Sequence, residues 1–448
     1  MFFSPIAGLT SFLTLGLLKP LGGGLAGLLN LGPATPSADV FYDVPSNIAD
    51  YAQGDVIRYR KPPSAIASFG LPLDLASSYQ ILYRTTNGFG VPTATVVTVM
   101  VPPNADFKSI MSFQLAEDAT NINCAPSYSI QMGSGTNSKF ESGTAQLELL
   151  IMIGALQEGW IVITPDFEGP DASYIDTTLA SRAVLDGITA TLASGRFTQI
   201  QPDSIVTMYG YSGGASVTKD AAAIQPTYAK NIKLSGTVTG GLPTSTITKA
   251  MFYKLNQSND SGLIPLLLIG VVKAVPQFKP LIDKHLKPQY KSLFYKQLGQ
   301  CLDSNLETFR GLDVIGFFDC WDCVIDPVVA VAGAAKDTGN PAGPQYIYQS
   351  VADQLVNIAQ IDNKVVQYCN DGVNVFYQRN DNPHVNHVHE AFLGAEGALD
   401  WLNGIRNGTF PTKECVVQHV QTSQFSNKFL SRFPNFISTS LFKLMEGR

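Results

Sequence analysis

Charge is what this chain has least of. Asp, Glu, Lys and Arg make up only 15% of its 448 residues, the net charge is −6, and Lys and Arg nowhere gather into a stripe. Binding a polyanion needs clustered cations to neutralise phosphates, so nucleic acid is set aside as a partner. Past the N-terminus no apolar run approaches the roughly 20 residues of a membrane-spanning helix. No segment repeats, so nothing points to a repeat array. Cys320-Trp-Asp-Cys323 has the C-x-x-C form of redox sites and of half a zinc site, but the second C-x-x-C or H-x-H pair is missing. It reads as a local disulfide in a loop, and neither a metal nor a cofactor is expected.

What is present is apolar. Hydrophobic residues make up 45% of the chain, including 25 Phe and 17 Tyr, enough for a large core and for a surface that suits a greasy ligand. The length fits two or three domains, or one large domain with an insertion. Residues 1–38 form an N-terminal apolar segment, broken by Gly8, Thr10, Ser11 and Thr14. A signal peptide, whose apolar core needs only about 7–15 residues, explains it better than a membrane span, with Ser37-Ala38 a candidate cleavage site. The even set of cysteines (Cys124, Cys301, Cys320, Cys323, Cys369 and Cys415) fits paired thiols outside the cell. Spacing alone does not choose their pairing. Asn256, Asn259 and Asn407 head N-glycosylation sequons, which add to an extracellular, secreted reading.

Strand and helix patterns alternate through the first half. Gly90–Pro103, Ile110–Ala116, Trp160–Thr164 and Ser204–Tyr209 read as strands, while Glu148–Glu158, Thr177–Ala193 and Ala215–Ile224 read as helices. Apolar strands alternating with helices imply a mostly parallel sheet flanked on both sides. The alternation stops near Pro243 and resumes with a strand at Tyr346–Val351, a helix over Asp353–Asn370, a strand at Val373–Tyr377 and a helix over Glu390–Leu402. The expected plan is an α/β core over 39–242 and 344–415, interrupted by a helical insertion over 243–343. A stretch of roughly 95 residues is too long for a plain loop. The tail, 416–448, follows no pattern.

Gly210-Tyr-Ser212-Gly213-Gly214 matches G-x-S-x-G, set between a strand and a helix. That context predicts a nucleophile elbow: the turn is so tight that its flanks must be small, and it leaves the Ser212 hydroxyl free at the tip. A serine hydroxyl needs a positioned base, and the base needs an orienting carboxylate. Chain order in the α/β-hydrolase fold is Ser, acid, His. Of the histidines His285, His384, His387, His389 and His419, three crowd the segment before the last helix. Asp353 follows a strand almost directly, at the edge where open α/β sheets place their sites; a helix N-cap is the competing role, and the catalytic one is favoured. Asp326 and Asp362 are weaker alternatives.

Several segments carry a resemblance beyond the elbow: Asp43-Val-Pro with Gly54-Asp-Val-Ile-Arg-Tyr-Arg60, Glu117-Asp-Ala-Thr with Cys124-Ala-Pro-Ser-Tyr128, Thr164-Pro-Asp-Phe-Glu-Gly169, Leu185-Asp-Gly187 and Gly210–Ala215. From about Phe41 to Cys415 the chain resembles the fungal secretory lipase family, of the Candida antarctica lipase A type. The resemblance implies Ser212 as nucleophile and Asp353 as acid, the latter before a helix that ends in Cys369 and Gly372. It implies His387 as base, seven residues before Gly394, with His389 the runner-up. It also implies that the amides of Asp118 and Gly213 form the oxyanion hole. The pairs Cys124–Cys301 and Cys369–Cys415 follow from it as well, leaving Cys320 to Cys323. The insertion would be a cap shaping an acyl-binding tunnel that opens at a lipid–water interface. The reading is hydrolysis of lipid or other hydrophobic esters through an acyl-enzyme. An acyltransferase using the same residues, a peptidase on this fold, and a non-catalytic binding protein are the alternatives.

Overall fold

In the central strands both faces are covered, and the sequence shows why: their side chains are mostly apolar or small, with no continuous polar face to turn to water. A computed structural model describes residues 32–136, 142–243, 247–333, 338–410 and 415–431. The N-terminal apolar segment through residue 31, and the tail after 431, lie outside the described residues. Among the described residues the main sheet has ten strands. They are β1 (Val56–Arg60), β2 (Ser77–Thr86), β3 (Pro92–Val101), β4 (Ser109–Gln114), β5 (Ile161–Pro165), β6 (Ile205–Tyr211), β7 (Leu234–Gly240), β8 (Gln345–Ser350), β9 (Val375–Asn380) and β10 (Cys415–Val420). Their spatial order is β1-β2-β3-β5-β4-β6-β7-β8-β9-β10. The first three contacts along that order are antiparallel and the remaining six parallel. This is the α/β-hydrolase architecture.

Alternation along the strands divides the core in two. On one face Met111, Phe113, Val162, Tyr209 and Tyr346 pack under helices α1 (Gly143–Gln157) and α11 (Ala395–Arg406). On the other, Ile110, Ile161, Ile163, Val206 and Met208 pack under α2 (Thr177–Ala193) and α3 (Gly213–Tyr228). Helix starts follow their caps: Ser142 accepts the Ala145 N–H, and Asp176 the Leu179 N–H.

Between β7 and β8 the described chain is helical, with α4 (Lys249–Leu255), α5 (Leu263–Ala274), α6 (Lys279–His285), α7 (Leu302–Phe309) and α8 (Trp321–Gly333). These helices enclose an apolar cluster of their own, including Phe252, Ile264, Leu268, Phe294 and Val324. The insertion is tied to the segment after β4 by the Cys124–Cys301 disulfide. Thr120 Oγ1 also bonds Gln297 Oε1 at 2.7 Å, and Asn121 Nδ2 donates to the Leu298 carbonyl at 3.0 Å. These ties anchor the insertion beside the loop that follows β4.

Two helix boundaries correct the sequence reading. The helix expected from Asp353 begins instead at Ile358, as α9 (Ile358–Asn370), capped by Asn357, whose side chain accepts from Ala359 N–H. Asp353 closes a tight turn ahead of it: its Oδ1 accepts the N–H groups of Leu355 and Val356, both at 2.8 Å. Such a side chain offers the backbone a non-helical alternative. The helix expected over Glu390–Leu402 is two, α10 (His387–Leu393) and α11, with Gly394 between them. A Cβ at Gly394 would lie 2.0 Å from the Tyr348 ring, so the junction crosses that ring too closely for any side chain. The unplaced segment after Cys415 begins with β10, an edge strand parallel to β9.

Candidate active site

Strand β6 runs straight into α3 through Ser212, which holds φ 52° and ψ −120°. Few non-glycine residues adopt such a conformation, and its strain is sustained by what surrounds it. Ser212 N–H donates to the Gly240 carbonyl at 2.9 Å, locking the turn to β7. The flanking glycines have no room for side chains: a Cβ at Gly210 would lie 2.3 Å from the Gly214 carbonyl oxygen, and one at Gly214 1.8 Å from that of Gln114. The G-x-S-x-G spacing therefore answers to packing against β4 as well as to the turn.

His387 is the first residue of α10, capped by Asn386, whose side chain accepts from His389 N–H. Its Nε2 lies 2.8 Å from Ser212 Oγ and its Nδ1 2.6 Å from Asp353 Oδ2. Gln349 Nε2 donates to the same Asp353 oxygen at 2.7 Å, and Gln354 Oε1 accepts the His387 backbone N–H at 3.0 Å. The Asp353 side chain is fully buried and that of His387 nearly so. Desolvation opposes charge on Asp353. The hydrogen bond and the charge of His387, the Val356 N–H and Gln349 outweigh it and hold the carboxyl below the usual range. Asp353 is thus kept as an anion facing the ring nitrogen remote from Ser212.

The loop after β4 supplies the other element. Asp118 sits at φ 40°, and its Oδ1 is 2.1 Å from where a Cβ of Gly213 would stand. Among the described residues neither the Asp118 nor the Gly213 amide has a hydrogen-bond acceptor. Two buried carboxyls grip the loop on either side: Glu148 Oε2 accepts from Ala116 N–H at 2.8 Å, and Glu168 Oε1 from Ala119 N–H at 3.4 Å. Burial drives Glu148, Glu117 and Glu168 well above the ordinary carboxyl range, and mutual repulsion adds to the effect on Glu117. Desolvation lifts Asp118 to about 6, with His387 pulling the other way.

A family model described as secretory lipase matches residues 134–413. Lipase A of Arthroderma benhamiae is 36% identical over 405 residues, covering 89% of this chain and 85% of that protein. The chain belongs to the secretory lipase family. Lipase 5 of Candida albicans is 32% identical, covering 95% of this chain and 91% of that lipase. Among solved structures, Candida antarctica lipase A in its closed state superposes with a TM-score of 0.78 at 28% identity, over 92% of this chain and 95% of that one. A rice cell wall degrading esterase from Xanthomonas oryzae, at 12% identity and a TM-score of 0.59, shares the fold. This secretory lipase is accordingly a carboxylic ester hydrolase.

The remaining candidates lie elsewhere. His384 is exposed. His389 is buried one helical residue beyond Val388, on α10. His285 bonds Asp319, and His419 bonds Asp381. Asp362 binds Arg379 and Tyr377, and Asp326 pairs with Lys249. All six cysteines of the lipase are paired, as Cys124–Cys301, Cys320–Cys323 and Cys369–Cys415. Sequence reading passed over Gln349, Gln354 and Tyr211. The first two lie within four residues of Asp353, and their polarity beside a candidate acid was a usable signal. Tyr211 occupies the free position of the elbow motif, where no residue type is required.

Proposed function

We propose that this protein is a secreted lipase that hydrolyses lipid and other hydrophobic carboxylic esters through an acyl-enzyme on Ser212. The observation that carries the reading is the pair of contacts on His387, 2.8 Å to Ser212 Oγ and 2.6 Å to Asp353. As the ester carbonyl is attacked by Ser212 Oγ, His387 Nε2 accepts the hydroxyl proton. Asp353 holds Nδ1–H in place and stabilises the imidazolium that forms. The amides of Asp118 and Gly213 receive the developing oxyanion. His387 then gives its proton to the departing alcohol, and a water activated by the same ring releases the acid. The helical insertion acts as the cap over this site and, at a lipid–water interface, admits the acyl chain.

Secretion rests on the family and on the paired cysteines. Asn259 and Asn407 are exposed and can carry glycans. The Asn256 amide is committed to Asp313 and to the Ile315 N–H, so glycosylation is expected at the other two. The test is a serine-directed phosphonate followed by peptide mapping, with hydrolysis profiled over short and long acyl esters. Ser212 should be the labelled residue, and Ser212→Ala should leave neither label nor turnover. A label on another serine, or full activity in Ser212→Ala, overturns the mechanism.

A further inference from the structure

The Cys320–Cys323 pair closes a ring of four residues, so as a cross-link it restrains little of the unfolded chain, unlike Cys124–Cys301 across 177 positions. Its surroundings point to another role. His285, at the end of α6, is carried to the start of α8 by a short antiparallel contact. Leu286 pairs with Phe318, Lys287 N–H donates to the Phe317 carbonyl, and Asp319 N–H donates to the His285 carbonyl. This contact brings a ring nitrogen of His285 and both sulfurs within 4.8 Å of one another. The His285 side chain is only 12% exposed, and its Nδ1 is 2.8 Å from Asp319 Oδ1. A carboxylate on the outer nitrogen fixes the ring and tautomer of metal-bound histidines. The second pair that the sequence lacks is thus supplied in part by a residue 35 positions upstream of Cys320.

We propose that, when Cys320 and Cys323 are in the dithiol form, His285 Nε2 and the two sulfurs bind one zinc-class divalent cation, with Asp319 as the orienting outer partner. Three protein ligands of the Cys2His type suit tetrahedral zinc with a fourth position left to solvent, and the Cα–Cα distance of 5.3 Å keeps both sulfurs on one side of the turn. The disulfide and the metal site exclude each other. A dithiol reductant passes two electrons and two protons to the disulfide and is itself oxidised to a disulfide. Binding of the cation then releases the two thiol protons, leaving two thiolates and a neutral imidazole as ligands. The proposal is independent of the chemistry at Ser212.

The test uses the full chain with Co²⁺ as a spectroscopic probe, and Zn²⁺ counted by native mass spectrometry. The expected result is no ion on the oxidised protein. One ion per chain should bind after mild phosphine reduction, with the visible absorption of tetrahedral thiolate-bound cobalt. His285→Ala should abolish the spectrum, and Asp319→Asn should weaken binding by about 10–100-fold. Cys320→Ser with Cys323→Ser should bind nothing, whereas Cys369→Ser with Cys415→Ser should bind as the parent does. A far-ultraviolet circular dichroism spectrum matching the parent's shows that each variant has folded. The proposal fails if the reduced protein takes up no ion. It also fails if uptake survives in His285→Ala, or moves to the Cys369–Cys415 pair.

Discussion

The Tyr211 hydroxyl donates to the backbone carbonyl of His387 at 2.6 Å, and the two rings lie 5.0 Å apart. The residue preceding the proposed nucleophile thus holds the start of the helix that carries the proposed base. Gly241 completes the contact, since a Cβ there would stand 2.7 Å from the Tyr211 ring and 2.8 Å from His387 Cε1. Tyr211→Phe keeps the ring and removes one buried hydrogen bond, a loss of about 0.5–1.5 kcal/mol. If that loss falls on the placement of His387, kcat drops about two- to tenfold with KM little changed, and the pH profile of kcat moves. An unchanged kcat with a lowered melting temperature would reduce Tyr211 to a packing role.

Histidine substitutions separate the base from its neighbours. Removing a general base costs about 10²–10⁴-fold or more in rate. His387→Ala should therefore nearly abolish turnover, while His384→Ala and His419→Ala change it little. His389→Ala removes a buried ring, so its effect should appear in the melting temperature more than in kcat. Steady-state kinetics on one soluble ester decides the matter. An inactive His389→Ala beside an active His387→Ala would overturn the assignment.

The elbow glycines make a contrasting pair. At Gly214 an added methyl meets the fixed Gln114 carbonyl at 1.8 Å, so Gly214→Ala should fail to accumulate as folded protein. At Gly213 the methyl meets the end of the Asp118 side chain, which can turn away. Gly213→Ala should fold, yet lose activity by pushing the Asp118 side chain aside next to the two amides assigned to the oxyanion. Soluble yield and kcat, measured side by side, check both. Equal behaviour of the two variants would contradict this geometry.

How far the sequence could be read follows from range. The parallel core and the elbow were legible because their signals are local: apolar strands, helical spacing and a glycine-bounded serine. The choice of His387 over His389 rests on the family position and on its place just before the last helix, because spacing alone does not separate three histidines within six positions. The edge strand β10 was missed because four of its six residues are exposed and none is buried, and Cys415–Val420 shows no regular apolar alternation. The start of α9 was misplaced because Asp353 and Asn357 are both good caps, and only tertiary contact with His387 shows which one is otherwise engaged. Glu148 and Glu168 gave no signal as buried residues. Their partners are amides of a loop 32 and 49 positions away in the chain.

Buried acids lead to a last expectation, for stability against pH. Burial raises Glu390 to about 8, Asp166 to about 7 and Asp186 to about 6, and lifts Glu117, Glu148 and Glu168 in the same direction. Each binds its proton more tightly folded than unfolded. Its contribution is therefore fully present below the ordinary carboxyl range, near 4, and is lost as pH rises towards the folded value. Each such group costs about 1.4 kcal/mol of stability per pH unit within that window. Asp39, Asp106, Asp283, Asp353 and Asp381 are shifted downward, so their contribution is lost only in more acidic solution. The melting temperature should accordingly be higher at pH 5 than at pH 8. Glu390→Gln isolates one contributor: it keeps an oxygen for the 2.8 Å bond from Asn380 Nδ2 but cannot ionise. Calorimetry across pH 5 to 8 should show a shallower decline for Glu390→Gln than for the parent. A parent melting temperature that rises over this range would mean that these carboxyls ionise inside the fold at little cost.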